Sequence, residues 1–345
     1  MIHLLVMEGD GIGPEISAAA VAVLREADRV FRLGLSLQAA SVGFAAAQAA
    51  DGIILGPVSH NDYPAIGEGG LNPSGELRKR LDLFANIRPA RTRGGFPPRC
   101  GSPVDLVIVR ENTEGFYADR SMHAGPGEFM PTADLALAVR KVTRQGSTRI
   151  AEVAFDLAKR RRRKVTAVHK GNVLRVSEGL FLECVRSVAA GFADIAYEEK
   201  IVDAMAALLV RDASVFDVIV TTNMFGDILS DEAAEIAGSL GLAASLNAGA
   251  NHAVAQAQHG SAPDLAGKDA ANPAALIDSA AMLLGWLGER RKDAALVHAA
   301  QAIEAALERT ISTPDWRTRD LGGRLGTKAF AERVSAMLGE TAASR

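Results

Sequence analysis

Short apolar runs rich in β-branched residues alternate along the chain with longer segments whose apolar positions recur at helical spacing. The runs IHLLVM, DLVIVR, KVTAVH and FDVIVTT are typical of buried strands, whereas PEISAAAVAVLREADRV has one apolar helical face. The Ala/Leu-rich region 270–310 predicts two helices. Because strands that alternate with helices favour a largely parallel sheet, the pattern predicts an α/β fold.

One predicted strand leads into a helical pattern that carries two acids. In FDVIVTTNMFGDILSDEAAEIAG, residues 216–238, Asp227 and Asp231 are four residues apart. Residues at this spacing share a helix face, so both carboxylates point the same way. Two interpretations are open. Acids in a first helical turn suit the positive end of the helix dipole, and paired carboxylates at the end of a strand suit a divalent cation.

Other strands also end in chemically useful side chains. Arg110 ends DLVIVR and is followed by ENTEGFY with Tyr117, Lys170 follows KVTAVH, and the helix-like ELRKRLDLFANIRP offers Arg78 and Arg88. Ligands of open α/β sheets bind beyond the carboxyl ends of the strands, so we expect these groups to meet in one crevice. Arginine forks match carboxylates, and Mg²⁺ or Mn²⁺ prefers oxygen ligands. With the two aspartates, the groups predict a site for a small polycarboxylate bound to a metal ion.

Composition narrows the class of protein. A chain of 345 residues can form two domains. Its 38 basic and 41 acidic residues give a net charge of −3, which argues against general nucleic-acid binding. The basic run KRRRRK at 159–164 is either a helix C-terminus, where cations are favourable, or a polyanion site, and the helix end is favoured.

The sequence also bears on cellular setting. No apolar stretch is long enough to span a bilayer, so no membrane partner is expected. The N-terminus reaches a Gly-Asp turn too soon for a signal peptide. Cys100 and Cys184 have no metal-ligand spacing and do not suggest a disulfide framework. A reducing, cytoplasmic location is therefore expected.

Two glycine-containing segments carry weaker signals. GDGIGPE, residues 9–15, follows a strand and opens a helix, but its glycines are spaced GxGxG and no acidic residue follows a second strand about twenty residues on, so it does not fit a Rossmann fingerprint. It is acceptable as a tight turn near a ligand. The stretch ARTRGGFPPRCGSP, residues 90–103, predicts a long connection or a crossing between domains.

The order and wording of these motifs resemble the isocitrate/isopropylmalate dehydrogenase family, the metal-dependent β-decarboxylating dehydrogenases. The resemblance covers nearly the whole chain and is closest to the NAD-isocitrate and homoisocitrate branch. It rests on GDGIGPE, LRKRLDLFANIRP, VRENTEGFY, HKGNVL, VDAMAALLVR, TTNMFGDILSDEAAE, HGSAPDLAGKDAANP and DLGGRLGTKAF.

The resemblance implies roles for individual residues. Three arginines match those that clamp the substrate carboxylates, a tyrosine matches the general acid, and a lysine matches the residue that assists proton removal. Three aspartates match metal ligands, the first of them supplied by the other subunit of a homodimer with shared active sites. In that order the residues are Arg78, Arg88, Arg110, Tyr117, Lys170, Asp203, Asp227 and Asp231.

The resemblance further implies two α/β domains around a central cleft, in a fold that is not a Rossmann fold. One domain would be discontinuous, comprising residues 1–90 and 240–345, and residues 91–239 would form the other and carry the dimer interface. NAD would rest on a loop with an asparagine near the adenine, and Mg²⁺ or Mn²⁺ would be the metal. These cofactor-binding positions are His259, Gly260, Ser261, Ala262, Pro263, Asp264 and Asn272.

Substrate choice within the family depends on residues 71–77, LNPSGEL. Isopropylmalate enzymes place a Glu and two Leu where this chain has Leu71, Ser74 and Gly75, so their apolar pocket is missing. Isocitrate enzymes have Ser and Asn there, and Asn72 and Ser74 supply the two types interchanged. Homoisocitrate enzymes often carry an Arg at the position of Gly75. We therefore expect isocitrate or homoisocitrate, with 3-isopropylmalate, D-malate or tartrate as alternatives.

Further differences concern the cofactor and catalytic competence. Gln256 in AQAQHG replaces a Glu near the cofactor, which bears on cofactor affinity. NADP-using relatives have Lys and Tyr where this chain has Asp264 and Leu265, so NAD is expected, although Asp264 has the alternative role of capping the following turn.

A regulatory subunit of a hetero-oligomeric dehydrogenase is a second possible class. Such subunits lose catalytic positions, whereas this chain has them all.

Overall fold

Ten strands of the chain form one sheet in the computed structural model, which describes residues 1–40, 44–59, 63, 72–117, 122–123, 125 and 127–343. In chain order they are β1 (Ile2–Met7), β2 (Leu35–Ala39), β3 (Gly52–Leu55), β4 (Ala85–Arg91), β5 (Asp105–Glu111), β8 (Lys164–His169), β9 (Ala196–Ile201), β10 (Val218–Thr221), β11 (Leu246–Ala248) and β12 (Ala253–Gln256). The spatial order is β2-β1-β3-β12-β11-β4-β5-β10-β8-β9. A separate hairpin consists of β6 (Glu128–Thr132) and β7 (Leu135–Ala138).

Helices pack on both faces of the sheet. They are α1 (Gly13–Phe31), α2 (Phe44–Ala49), α3 (Pro73–Arg80), α4 (Arg144–Ala158), α5 (Ser177–Ala189), α6 (Val202–Asp212), α7 (Asn223–Ala237), α8 (Ala274–Arg291), α9 (Ala294–Ser312) and α10 (Thr327–Ala343). None of these described helices is both long and apolar enough to cross a membrane. The predicted α/β class, with two helices in the region 270–310, is confirmed.

The sheet is largely parallel, as predicted, but its centre is antiparallel. Strand β11 runs antiparallel to both β12 and β4, and β4 runs antiparallel to β5 along its whole length. The other six pairings are parallel. Residues 92–104 connect β4 to β5, so the Gly/Pro-rich stretch joins two neighbouring strands at this centre.

Each half of the sheet has its own buried apolar clusters. On the β2-to-β4 side, one cluster packs α1, α8, α9 and α10 against the strands, and a second lies under α2 and α3. On the β5-to-β9 side, α4 and α5 cover one face, and α6 and α7 cover the other. The first half combines strands from residues 2–91 with strands from 246–256. The proposed division into residues 1–90 plus 240–345 and 91–239 follows this arrangement and stays a prediction.

The basic run at 159–164 lies immediately after α4, which ends at Ala158. Every one of its six cations has a carboxylate partner: Asp156, Glu289, Asp217, Asp105, Asp194 and Glu198, in chain order of the cations. Because the charges are neutralised within the chain, the interpretation as a charged helix end is confirmed.

Candidate active site

Three neighbouring strands bring the predicted site together. Strand β10 lies between β5 and β8 and is parallel to both, so the three carboxyl ends meet at one edge of the sheet. Arg110 lies near the end of β5, Lys170 follows β8, and α7 follows β10. The strand ends therefore meet at one edge of the sheet, as expected from the sequence, and α7 lies beside them. Lys170 follows β8 at this edge but does not line the cleft described below.

The carboxylate of Asp227 is the centre of this cluster. Its Oδ1 accepts a hydrogen bond from Arg110 Nη1 and lies 3.1 Å from Arg88 Nη1. Its Oδ2 accepts a hydrogen bond from the Tyr117 hydroxyl at 3.1 Å. The Arg110 guanidinium also lies 5.7 Å from the centre of the Tyr117 ring. Two predicted clamp arginines and the predicted acid thus share one carboxylate.

The two aspartates of α7 differ in electrostatics. Burial alone would raise the pKa of Asp227, but Arg110, Arg88 and the Tyr117 hydrogen bond outweigh it and hold that pKa below its ordinary value. Burial, helped by the negative charge of Asp227, raises the pKa of Asp231 against the opposing effect of Arg88, at 3.5 Å, and of Arg110. Asp227 is therefore the more firmly ionised of the pair.

Both aspartates lie on one face of α7, as the spacing predicts, but not in its first turn. The helix begins at Asn223, and its first turn contains no acid. The alternative that the pair complements the helix dipole is therefore wrong, because the dipole acts within the first turn. The sequence analysis expected these acids in a first helical turn, but the helix already includes Asn223, Met224, Phe225 and Gly226 before Asp227.

Arg88 and Arg110 are buried arginines held by amides and hydroxyls. Arg88 lies on strand β4 rather than in the helix-like segment that the sequence suggested, and it donates to Asn86 at 2.5 Å and to Ser230 at 2.7 Å. Burial and the neighbouring Arg110 lower the pKa of Arg88 to about 10. Arg110 donates twice to Asn223 Oδ1, at 3.0 Å and 2.7 Å. Both cations are fixed before any substrate arrives.

Sequence reasoning missed the residues that hold these arginines. Asn86 and Ser230 orient Arg88, and Asn223 orients Arg110. Asn223 could have been noticed, because a polar residue directly after a strand end lies at the same edge as the other site residues. Asn86 and Ser230 carry no such signal, since their contact with Arg88 depends on how β4 packs against α7.

Lys170 and Asp203 form a second group. The Lys170 ammonium pairs with the Asp203 carboxylate at the start of α6, and this hydrogen bond holds the pKa of Asp203 below its ordinary value. Within the described part of the chain, neither side chain forms a hydrogen bond or an ion pair with Asp227 or Asp231. Over the same residues, no three His, Cys, Asp or Glu side chains of one chain converge to hold a metal ion.

A cleft of about 400 Å³ lies against the arginine cluster. Its predicted site residues are Arg78, Arg88, Arg110, Tyr117, Asp227, His259 and Gly260. The remaining described lining is mostly polar: Asn72, Ser74, Ser245, Gln256 and Gln258, with Gly75 and the apolar Val58 and Ala257. The cleft therefore brings together residues that lie as far apart in sequence as Val58 and Gly260. Asp231 does not line the cleft but is 3.5 Å from Arg88, which does.

The loop His259–Asp264 packs against the GDGIGPE turn. Ile12 N donates to the Ser261 carbonyl at 2.8 Å, and the Ser59 and Ser261 hydroxyls are 2.6 Å apart. Gly11 has φ +57°, and a Cβ there would overlap the Ser261 carbonyl, so only glycine permits this approach. Burial lowers the pKa of His259, whose Nε2 is buried with no hydrogen-bond partner among the described residues.

Two further predicted cofactor residues, Asp264 and Asn272, differ in their exposure and in their hydrogen bonds. The Asp264 side chain is exposed in the short turn Pro263–Leu265 and makes no hydrogen bond or ion pair with any described residue, so it does not cap that turn. Asn272 is mostly buried, donates to Asp320 at 2.9 Å and accepts from Ala274 N at 3.0 Å. The Asn272 amide thus links the short turn Arg319–Leu321, which contains Asp320, to the start of α8.

A cationic cleft beyond the carboxyl ends of parallel strands is typical of α/β enzymes that act on small anions. Residues 3–334 match the family model described as isocitrate/isopropylmalate dehydrogenase. The chain is 40% identical to the 3-isopropylmalate dehydrogenase of Archaeoglobus fulgidus, covering 98% of this chain and 100% of that protein. It is 38% identical to a protein of Drosophila melanogaster named probable isocitrate dehydrogenase [NAD] subunit alpha, mitochondrial, covering 96% and 86%.

A solved structure agrees with these relatives. The isocitrate dehydrogenase from Methylococcus capsulatus superposes with a TM-score of 0.85 at 38% identity, covering 98% of this chain and 99% of that one. The chain belongs to the isocitrate/isopropylmalate dehydrogenase family, and it is a decarboxylating dehydrogenase of that family. The resemblance inferred from the motifs and the fold it implied are confirmed.

Proposed function

We propose that this chain oxidatively decarboxylates a 2-hydroxy-3-carboxy acid with NAD and Mg²⁺ or Mn²⁺, and that the acid is isocitrate or homoisocitrate. The observation that carries the proposal is a cleft that combines three arginines with a polar wall. The arginines of such a cleft bind carboxylates in two-bond fashion, and a polar wall leaves room for a further charged group on the substrate.

The polar wall of the cleft comprises Asn72 and Ser74, which precede Arg78 in sequence, and Gln256. Asn72 caps α3 by accepting a hydrogen bond from Gly75 N at 3.1 Å. Ser74 donates to Gln256 Oε1 at 3.2 Å, and both side chains are buried. The Gln256 side-chain N–H₂ can donate a hydrogen bond into the cleft, and a branched alkyl group placed against it would exclude water there without accepting that bond, which costs free energy. A carboxylate would instead accept hydrogen bonds. Leu71 lies outside the described residues.

The proposed roles follow from the contacts. Arg88 and Arg110 are held by their amide and hydroxyl partners, so they can donate hydrogen bonds to substrate carboxylates with little reorganisation. Tyr117 is the general acid that returns a proton to the substrate carbon, and its hydroxyl is held at the cluster by Asp227. Lys170 assists removal of the hydroxyl proton from the substrate.

Asp227 and Asp231 are the proposed metal ligands, because two carboxylates on one helix face suit a hydrated Mg²⁺ or Mn²⁺. Bound there, the cation would polarise the substrate hydroxyl and carboxylate and stabilise developing negative charge. The third proposed ligand, Asp203, would come from a second copy of the chain, since its own-chain partner is Lys170.

Exposed apolar side chains support a homodimer with shared sites. Val173 and Val176 follow Lys170, and Ile228 adjoins Asp227 on α7. The β6–β7 hairpin also exposes large apolar side chains: Phe129, Met130, Leu135, Leu137 and Val139. Apolar surface of this extent beside polar site residues is typical of protein–protein contacts. A second copy covering the region around Lys170 and Ile228 would lie next to the proposed metal ligands.

3-Isopropylmalate is the second candidate substrate, because relatives with that name are 38–40% identical over almost the whole chain. D-malate and tartrate, being smaller, would also fit a polar wall. The test is a comparison of kcat/KM for isocitrate, homoisocitrate, 3-isopropylmalate, D-malate and tartrate with NAD and Mn²⁺. We expect at least about tenfold preference for one of the two tricarboxylates, equivalent to about 1.4 kcal/mol.

A matched variant sharpens this test. Ser74→Leu replaces a polar wall position with an apolar one and should move the preference towards 3-isopropylmalate, whereas Ser214→Leu, on the short turn after α6, should leave the ranking unchanged. A clear preference of the unmodified protein for 3-isopropylmalate would show that the wall was misinterpreted. The same assays use the chain purified alone, so turnover would also exclude a regulatory subunit that is inactive without a catalytic partner.

A further inference from the structure

Arg140 and Glu178 form a buried ion pair behind the proposed catalytic residues. The Glu178 side chain is fully buried and that of Arg140 is 9% exposed. One carboxylate oxygen accepts from Arg140 Nη2, and the other, Oε2, accepts a hydrogen bond from the Lys170 backbone N–H at 2.8 Å. Glu178 therefore connects the arginine directly to the main chain that carries the proposed catalytic lysine.

Arg140 also contacts the start of α7. Its Nη2 donates to the Thr222 hydroxyl at 3.1 Å, and Thr222 is the residue immediately before the helix. Its guanidinium lies 5.6 Å from the centre of the Phe225 ring, two residues before Asp227. The same guanidinium thus touches the helix that carries the proposed metal ligands.

A third connection reaches the Tyr117 segment. Gly115 and Lys141 exchange two backbone hydrogen bonds, at 2.8 Å and 2.9 Å, so the residue next to Arg140 is paired with the segment that leads to Tyr117. The Arg140 guanidinium also lies 5.9 Å from the centre of the Phe116 ring. Three separate segments are therefore linked to the Arg140–Glu178 pair: the Lys170 main chain, the start of α7 and the segment that leads to Tyr117.

We propose that the Arg140–Glu178 pair positions the Lys170 main chain, the start of α7 and the Tyr117 segment relative to one another, and so controls the chemical step. This inference rests on the proposed function. A buried ion pair is by itself weak evidence for stability, because desolvation of both ions offsets their attraction. The directed contacts to three segments give this pair a role that an apolar pair of similar size could not supply.

The decisive variant is the double substitution Arg140→Met/Glu178→Leu. It removes both charges together, so no unpaired buried ion remains and the fold should be kept. The matched control is Arg144→Met/Glu183→Leu, an exposed ion pair that joins the start of α4, four residues after Arg140, to α5, the helix that carries Glu178. Arg140→Met and Glu178→Leu alone each leave an unpaired ion and serve as companions.

In the double variant we expect kcat to fall by about 100-fold, the scale of a 1 Å displacement of a catalytic group. KM for the substrate should change by less than about threefold, since Arg88 and Arg110 have their own partners. The control variant should match the unmodified protein in both constants. A double variant that folds and keeps its kcat would show that the pair does not position the catalytic segments, which overturns the proposal whether or not the thermal midpoint changes.

Amide hydrogen exchange provides a measurement that does not depend on activity. Loss of Glu178 should increase exchange at the Lys170 amide by at least about tenfold in the double variant but not in the control, because the amide loses its buried acceptor. Unchanged exchange would contradict the positioning role. If the unmodified chain oxidises none of the five acids, the proposed function fails, whereas the exchange experiment still tests what the pair does to Lys170.

Discussion

Lys170 pairs with Asp203 of its own chain, at the start of α6, while Asp227 lies among the arginines of the cleft. One chain therefore contains two separate groups of proposed catalytic and metal-binding residues. This arrangement makes the shared-site hypothesis testable by subunit mixing, since the third proposed ligand is not beside the other two.

Mixing Asp203→Asn with Asp227→Asn chains should restore activity to two inactive proteins. If Asp203 acts across the dimer, a mixed dimer has one site with neither lesion and one with both. Random exchange should then give about a quarter of the activity of the unmodified protein. Activity is measured after co-refolding, and mixed dimers are verified by mass spectrometry. Mixed dimers that form but remain inactive would show that Asp203 does not act across the interface.

The two aspartates of α7 should respond oppositely to loss of charge. Asp227→Asn should lower stability at pH 7 by about 1–2 kcal/mol, less than for a fully buried pair because the side chain is 36% exposed. The folded-state pKa of Asp227 is lowered, so its stabilisation exists above the unfolded pKa of about 3.9 and is lost as pH falls through the folded value.

Asp231→Asn should leave the thermal midpoint unchanged or raise it at pH 7. The pKa of Asp231 is raised in the folded state, so its ionisation destabilises the fold increasingly as the pH rises above the unfolded pKa of about 3.9, and fully above the raised value. Asparagine removes this penalty. Thermal melts in EDTA from pH 3 to pH 8 measure both effects. Added Mg²⁺ should stabilise the unmodified protein more than either variant. A destabilised Asp231→Asn protein in EDTA would contradict the electrostatic account.

Tyr117→Phe should impair protonation of the decarboxylated product more than hydride transfer. The change removes the hydroxyl that donates to Asp227 but keeps the ring beside Arg110. Loss of a positioned general acid costs about 10²–10⁴-fold in the step that it serves. Single-turnover measurements of NADH formation and of product protonation in deuterated water separate the two steps. Equal loss in both would count against the assignment.

Asp264 should make the enzyme prefer NAD over NADP by at least about tenfold, or about 1.4 kcal/mol. Its exposed carboxylate has no partner among the described residues, so it can accept hydrogen bonds from ribose hydroxyls and repel a 2′-phosphate. The ratio of kcat/KM for the two cofactors measures this preference. Asp264→Lys should reduce it, whereas Asp269→Lys, a nearby exposed change, should affect it less. Equal kcat/KM with NAD and NADP would contradict the assignment of Asp264 as the residue that selects NAD.

The elements of the fold were largely predictable, because local periodicity determines them. IHLLVM and KVTAVH are strands β1 and β8 with the predicted bounds. The pairing of strands was not predictable in the same way. The antiparallel contact of β11 with β4 joins residues far apart in sequence, and no local pattern specifies it. Arg88 was assigned to a helix-like segment because its strand β4, with the sequence ANIRPAR, contains a proline and few β-branched residues and so lacks the local pattern of a strand.

The candidate site was predictable in its charged residues and not in their partners. Arg110 and Asp227 follow from the ends of β5 and β10, which the sequence identifies as strands. Burial of Arg110, which is only 1% exposed as a residue, depends on Asn223 and on packing against α7. The contact between Ser74 and Gln256 spans 182 residues, so only the folded chain reveals it.

The position of β11 and β12 between β3 and β4 has a consequence for biosynthesis. Strands β3 and β4 are made early, yet the two strands that separate them in the sheet are made only after residues 92–245. As the chain leaves the ribosome, the part formed by β5, β8, β9 and β10 can bury its apolar clusters first. Until β11 and β12 have been synthesised, β3 and β4 lack the strands that pair with them on their facing edges. Nascent chains stalled before residue 246 should therefore need chaperones and be sensitive to proteases.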